Sequence, residues 1–593
     1  MPLDRHVWEI VEIELHAKNQ YENPYMTVDV WADLKGPGFS KRVYGFWDGG
    51  DVFRIRMTAV CVGKWSYITG ANVSDDGLCG KKGEFEAVDW TEAEKAENAC
   101  RRGIVIASEN GHALQYSDGT PVYLLGDTQW AIFTDRFPWF DDDEPRDLGP
   151  GMGFKDIVRY RINQGFNFIA SIACLPGWQD DGYPSQVEPE PGLFLRSGWK
   201  NPAYTPYDGI KEMRNEGGLP FEFPGKVPGY GKVYPDMERI NPEYFKYVDR
   251  KINWLNENGV TVFLETMRRD CSTAMKKFHP WPQVYIRLMQ YVFTRYQANN
   301  CVLSPIHYDY DQMSIPGEEY NEAINMMVEK YGKPPFGTLL SCNPHGTSLA
   351  NFGKADENKW IDMHQIGNTY GREHDYFWFL TDIFHQDPPV PGLNGEPYYP
   401  GGEFGCGKDQ IIVIGDSEEA NIRNRSCLYG CLLSGGLAGY IYGCEGMWNA
   451  NNEPESVFKM WDALKYQSGA QVQYVKDFIS IIGDRYRDLT PEAELITPNK
   501  YGEPLGHKGW AYCAQLADRS EMLVYFEVGC PQCSLRGLKK YSEYEIKWFD
   551  PRNGIWSEDE NVKTVQVDRT GMCKLPAKPD DRDWGLYAKL VKG

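Results

Sequence analysis

Two acidic positions could carry chemistry in this sequence. Asp309 lies in His307-Tyr308-Asp309-Tyr310-Asp311, directly after the apolar run Cys301–Ile306. Glu396 lies in Asn394-Gly395-Glu396-Pro397-Tyr398-Tyr399, at the end of the run Val390–Gly395. Two carboxylates held face to face can share the work of breaking an acetal. One attacks the carbon and the other protonates the departing oxygen, a division that needs about 5–5.5 Å between the carboxyl groups. A lone acid at a strand end often only caps a neighbouring helix, so the pair matters more than either member.

Such a pair requires elements that bring positions 309 and 396 together. From about residue 118 the chain alternates strand-like and helix-like segments. The expected strands are Val122–Leu125, Phe166–Ile172, Val260–Leu264, Cys301–Ile306, Gly337–Ser341, Met363–Ile366, Val390–Gly395 and Gly439–Tyr442, with amphipathic segments between them. Asn241-Pro242-Glu243 supplies a helix start: a capping amide, a proline at the first turn and an early acid. Eight strands alternating with helices predict an α/β fold, a (β/α)8 TIM barrel, with the polar residues after strands four and seven meeting at its C-terminal mouth. The stretch from about 175 to 240 is too long and too rich in Gly and Pro for an ordinary βα loop, and reads as a wall or lid on that mouth.

The flanks read differently. Residues 1–98 show period-two alternation, as in Val52-Phe53-Arg54-Ile55-Arg56-Met57, broken by Gly-Pro-Gly at 36–38 and Gly-Gly at 49–50. Residues 489–593 return to strands, with Asp550-Pro551-Arg552-Asn553-Gly554 as a turn. The expected organisation is therefore a barrel at 99–488 flanked by N-terminal and C-terminal β-sandwich domains.

Composition narrows the partners. The chain has 593 residues and a formal net charge of −22, with Asp+Glu 84 against Lys+Arg 62. Such a charge repels phosphate backbones and anionic lipid, so neither nucleic acid nor membrane is expected as a partner. Aromatic residues reach 14%, which suits stacking on sugar faces and β-sheet packing alike. No basic segment followed by an apolar run opens the chain, and many of the 15 cysteines sit in apolar surroundings, so a cytoplasmic location is expected. Cys530-Pro531-Gln532-Cys533 has metal-knuckle spacing without a second such pair and reads as a turn. His307, Asp309, Asp311, His345, His364 and His374 are numerous near the mouth but lack a tight metal spacing; no metal and no cofactor are expected.

The motifs resemble those of (β/α)8 glycoside hydrolases with acids on strands four and seven, and within them the bacterial apiosidase-like group with a DUF4038-type barrel. The matching pieces are Leu124-Leu125-Gly126-Asp127-Thr128-Gln129-Trp130, Gly165-Phe166-Asn167, Gln365-Ile366-Gly367-Asn368, Asn394-Gly395-Glu396-Pro397-Tyr398-Tyr399 and Tyr440-Ile441-Tyr442-Gly443-Cys444-Glu445-Gly446-Met447-Trp448, in order. The N-terminal region resembles the DUF5060 type, and Trp548-Phe549-Asp550-Pro551-Arg552-Asn553-Gly554 resembles the β-domain that closes such chains. The resemblance implies a retaining exo-glycoside hydrolase that releases a terminal sugar, furanosyl or apiose-type, from an oligosaccharide or glycoside. It gives Glu396 the nucleophile role, with a lowered pKa, and Asp309 the acid/base role, with a raised one. Glu403, after Gly401-Gly402, and Asp311 stand as alternatives. Strand four departs from the family's Gly-Gly-acid ending, having Ser304-Pro305-Ile306-His307-Tyr308-Asp309.

Substrate contacts are expected from Asp127, Trp130, Trp178, His307, His345, Gln365, Asn368, Glu445 and Trp448. Asp127 could instead cap its own loop, and each tryptophan could serve packing. Glu445 stands where relatives commonly carry an amide, which would alter the hydroxyl pattern recognised. Arg268 and Arg269 are expected to balance charge. A homo-oligomer is compatible with the flanking β regions. Two other readings remain open: a catalytically inactive carbohydrate-binding barrel, and a sugar lyase, which would release an ultraviolet-absorbing unsaturated product.

Overall fold

The computed structural model describes residues 4–174, 214–226, 235–269, 272–309, 315–358, 360–367, 374–401, 403–404, 411–412, 415–448, 450–452, 454, 456, 458–499, 507–558 and 562–592. At its centre an eight-stranded sheet runs in the order Cys301–Ser304, Thr261–Glu265, Phe168–Ile172, Leu124–Thr128, Gly439–Tyr442, Gly392–Asn394, His364–Gly367 and Gly346–Thr347. All neighbours are parallel except the last pair. The strands are buried along their whole length, as expected when helices cover a parallel sheet.

The expected fifth strand, Gly337–Ser341, is not a strand. Gly337 takes φ +94°, and the segment touches its neighbour through one parallel bridge, Leu303 to Leu340. Leu303 N donates to Leu339 O at 2.9 Å, and Ser341 N donates to Leu303 O at 3.0 Å. On the other side, Asp362 N donates to Leu340 O at 2.8 Å. Just beyond, His307–Tyr308 pairs in parallel with Asn343–Pro344. Residues 339–344 thus lie between strands four and six, although the ladder is too broken to count as a regular strand.

The covering helices arise where the periodicity places them. In Pro242–Glu257 the Asn241 Oδ1 accepts from Glu243 N at 3.1 Å, so the predicted cap forms. Gln283–Tyr296 and Glu418–Leu433 are buried on nearly every side because each is also covered by a β region. Arg295 on the first donates to Asp249 and, at 3.0 Å, to Asp48; Arg425 on the second donates to Asp583 at 2.7 and 3.0 Å.

The N-terminal region has a five-stranded and a three-stranded sheet sharing a core that includes Val30, Leu34, Phe53, Ile55 and Trp65. The C-terminal region has a seven-stranded and a three-stranded sheet around Met522, Val524, Ile546 and Leu586. Of the long stretch between strands two and three, the described part holds an antiparallel pair, Phe221–Glu222 with Asp236–Ile240. No helix among the described residues is long and apolar enough to cross a membrane.

Candidate active site

The C-terminal ends of strands three, four and seven converge on one buried cluster. Strand three ends in Glu265, which is fully buried. Strand four leads through His307–Tyr308 to Asp309, which is 8% exposed. After strand seven, Asn394 Oδ1 accepts from Glu396 N at 3.1 Å, a short side-chain turn that points Glu396 inward at 5% exposure. Gly395 lets Gln365 pack close beneath that turn: a Cβ there would fall 2.3 Å from Gln365 Oε1. Donor atoms of His307, Asp309 and Glu396 all lie within 4.8 Å of one another.

Asp309 is surrounded by positive charge. Arg269 Nη1 stands 2.6 Å from Oδ1, Arg268 Nη2 3.2 Å from Oδ2, and His307 Nε2 3.3 Å from Oδ1. Burial pushes this carboxyl up, but Arg269, His307 and Arg268 together outweigh it and hold Asp309 well below the usual carboxylate range. Burial would likewise lower the His307 pKa; Glu265, bonded to its Nδ1, and Asp309 reverse this and raise it to about 9. Glu396 accepts from Asn343 Nδ2 at 3.4 Å and from the Tyr399 hydroxyl at 3.5 Å. Burial first, then the negative charge of Asp309, pushes its pKa up, against smaller opposing effects of His307 and Arg268.

This reverses the charge states expected from the sequence. Glu396 was to be the depressed acid and Asp309 the raised one. Arg268 and Arg269 decide the matter: they follow strand three in sequence, and both guanidinium groups reach Asp309. The same charges argue against a cation held by His307, Asp309 and Glu396, because three positive groups already face Asp309.

The other expected residues fall into three groups. Close to the pair stand Trp130, whose ring meets His307 edge-on at 4.6 Å, and His345, whose Nδ1 is 3.3 Å from the Asp309 carbonyl oxygen. Gln365 is fully buried, donates to Ser341 Oγ at 3.0 Å and packs under the turn at Gly395. Glu445 and Trp448 bond each other at 3.0 Å, and Glu445 N donates to Pro400 O, joining the loops after strands seven and eight.

Asp127 is otherwise employed. It is fully buried, with Arg161 Nε at 2.8 Å and Gln129 Nε2 at 2.6 Å on one oxygen and Arg161 Nη2 at 3.4 Å on the other. These bonds occupy the atoms expected to bind sugar hydroxyls or cap the loop. Trp178, Asp311 and Asn368 lie outside the described residues, as does the side chain of Glu403, whose backbone pairs with Ile411–Ile412.

Sequence reading missed Glu265, Asn343 and Tyr399. Glu265 carried the same signal as the other two acids, a carboxylate closing an apolar run, but strand three was taken to end at Leu264. Asn343 links two of the three acids: its N–H donates to Glu265 Oε1 at 3.3 Å and its amide reaches Glu396.

A family model described as apiosidase-like, catalytic domain, matches residues 108–483, and one described as a domain of unknown function (DUF5060) matches residues 4–72. No curated protein matches the chain. Among solved structures, a candidate glycoside hydrolase from Bacteroides vulgatus ATCC 8482 superposes with a TM-score of 0.66 at 15% identity, covering 99% of this chain and 100% of its own. A glycoside hydrolase family 5 protein from the same organism gives 0.53 at 15% identity, covering 83% and 94%. At these identities the likeness is one of fold.

Proposed function

This chain belongs to the family of apiosidase-like catalytic domains and is a glycoside hydrolase; from that premise we propose that it is a retaining, exo-acting enzyme with Asp309 and Glu396 as its carboxylate pair. The observation that carries the proposal is the approach of these two acids, from the ends of strands four and seven, to within 4.8 Å. Double displacement needs about 5–5.5 Å between carboxyl groups, whereas a water molecule placed between them for inversion needs about 6.5–9.5 Å. The depth of both groups suits a terminal sugar entering end-on. The central sheet is read as a (β/α)8 barrel, closed through residues 339–344 and flanked by β-sandwich domains at 1–98 and 489–593. The substrate is an oligosaccharide or glycoside, with a furanosyl or apiose-type terminal residue suggested by the family.

In the first step the ionised carboxylate attacks the anomeric carbon, the bond to the leaving oxygen breaks, and the protonated acid gives that oxygen its proton. In the second, the same acid, now a base, takes a proton from water, which displaces the carboxylate from the sugar. Resemblance to the family supports Glu396 as the nucleophile and Asp309 as the acid/base. A second assignment, with the roles exchanged, is favoured by the three positive groups around Asp309. The pair shares its protons, so the resting charge state belongs to both acids together.

The test is a panel of aryl pyranosides and furanosides of both anomers with the wild type, Glu396→Ala and Asp309→Ala. Loss of turnover in both variants supports the pair, and an inverted first product, followed by NMR, would refute retention. Mass spectrometry of an enzyme trapped with a slow fluorinated glycoside then reads which acid carries the sugar. Sugar binding without turnover on natural oligosaccharides would instead favour the inactive barrel, and an ultraviolet-absorbing product the lyase.

A further inference from the structure

A second cluster, remote in sequence from the carboxylate pair, joins the central body to the C-terminal sheet. His374 precedes helix Asp375–Phe384, His507 precedes strand Ala511–Leu516, and Glu527 follows strand Glu521–Phe526. One ring nitrogen of each histidine and one Glu527 oxygen lie within 4.8 Å of one another. All three residues are buried, the histidines 2% exposed and the glutamate 0%. His374 Nε2 is 2.8 Å from Glu527 Oε1, and the two imidazole centroids are 5.0 Å apart.

One further feature points to a ligand. Nδ1 of His374 and Nδ1 of His507 are both buried without a hydrogen-bond partner among the described residues. Leaving such an atom unsatisfied is unfavourable, and here there are two in one cluster.

The surroundings resemble the outer shell of a metal site. Glu527 accepts from the Ser426 hydroxyl, from the Tyr512 hydroxyl at 3.3 Å and from Trp510 N at 2.9 Å, which fixes its orientation. The Trp510 ring stacks on His374 at 3.9 Å. Cys427 Sγ lies 4.0 Å from His507 Nε2, within reach of a fourth ligand position. The nearby Arg423 is paired with Glu419 at 3.0 Å.

We propose that His374, His507 and Glu527 bind one divalent cation of the zinc type, with Cys427 in reach as a fourth ligand, and that the ion clamps the C-terminal sheet to the body. Two imidazoles, a carboxylate and a thiolate in a closed setting suit a four-coordinate structural zinc better than magnesium or calcium, which prefer oxygen ligands. The proposal is independent of the reaction assigned to Asp309 and Glu396.

The test uses the full chain, stripped with chelator and reloaded with Zn(II) or Co(II). One equivalent of metal is expected in the wild type and in Glu396→Ala, with four-coordinate Co(II) absorption in the visible range. Zn(II) should raise the Tm of both. The double variant His374→Ala/His507→Ala should lose the bound metal and the Tm response; if it fails to fold, His507→Gln, checked for native circular dichroism, takes its place. A wild type that takes up no stoichiometric metal would overturn the proposal, as would a folded variant that binds as the wild type does. Loss of binding in Glu396→Ala alone would also overturn it, by placing the ion in the carboxylate cluster.

Discussion

His307 Nε2 stands 3.3 Å from Asp309 Oδ1 while the other ring nitrogen of His307 is bonded to Glu265. The imidazole is therefore held between two carboxylates, and both favour its protonated form. A histidine raised to about 9 presents Asp309 with a cation through the neutral range.

The Glu265→Gln variant should sever that link without removing a side chain from the catalytic pair. With one of its two carboxylates gone, His307 returns toward its ordinary pKa. The basic limb of the kcat/KM profile then moves to lower pH, and kcat falls by about tenfold or more, within the range of acid–base contributions. A profile whose limbs stay in place would show that Glu265 serves packing only.

Stability should follow the same group. The folded-state pKa of His307 lies above its unfolded value, so the stabilisation is complete below about 6.5 and is lost as pH rises through about 9. The wild-type Tm should accordingly decline across that window more steeply than the Tm of His307→Gln. Parallel curves for the two proteins would contradict the assignment.

Asp127 provides a contrast between structural and substrate roles. Its ion pair with Arg161 is fully buried, and breaking one partner of such a pair costs about 3–5 kcal/mol. Asp127→Ala should unfold at markedly lower denaturant concentration, while KM of the folded fraction stays near the wild-type value. A raised KM with unchanged stability would restore the sugar-binding role.

Asp249 is the anchor for the N-terminal sheets. It accepts from Arg56 at 2.7 Å and from Arg295 at 2.8 and 2.7 Å, all three groups being buried or nearly so. Asp249→Ala leaves two guanidinium groups without this partner and should cost about 3–5 kcal/mol in chemical denaturation. A loss below about 1 kcal/mol would mean that the remaining partners, Glu12 and Asp48, carry the attachment.

Much of the architecture was already written in local pattern. Period-two alternation marked Val52–Met57, and the Asn-Pro-Glu start marked helix Pro242–Glu257, because pleat, helical repeat and capping act over a few residues. Apolar runs closed by an acid singled out Asp309 and Glu396, since a strand buried on both faces can release a charged side chain only at its end. The expected strand Gly337–Ser341 is where the structure departs, with the ladder broken beside Gly337. What only the tertiary structure decided was where charges meet. Nothing local joins Arg268 and Arg269 to Asp309, Arg161 to Asp127, or His374 to Glu527; 153 positions separate that last pair. A pKa depends on partners within a few ångströms in space, so the charge state of Asp309 and Glu396 was set by the fold and not by their neighbours in the chain.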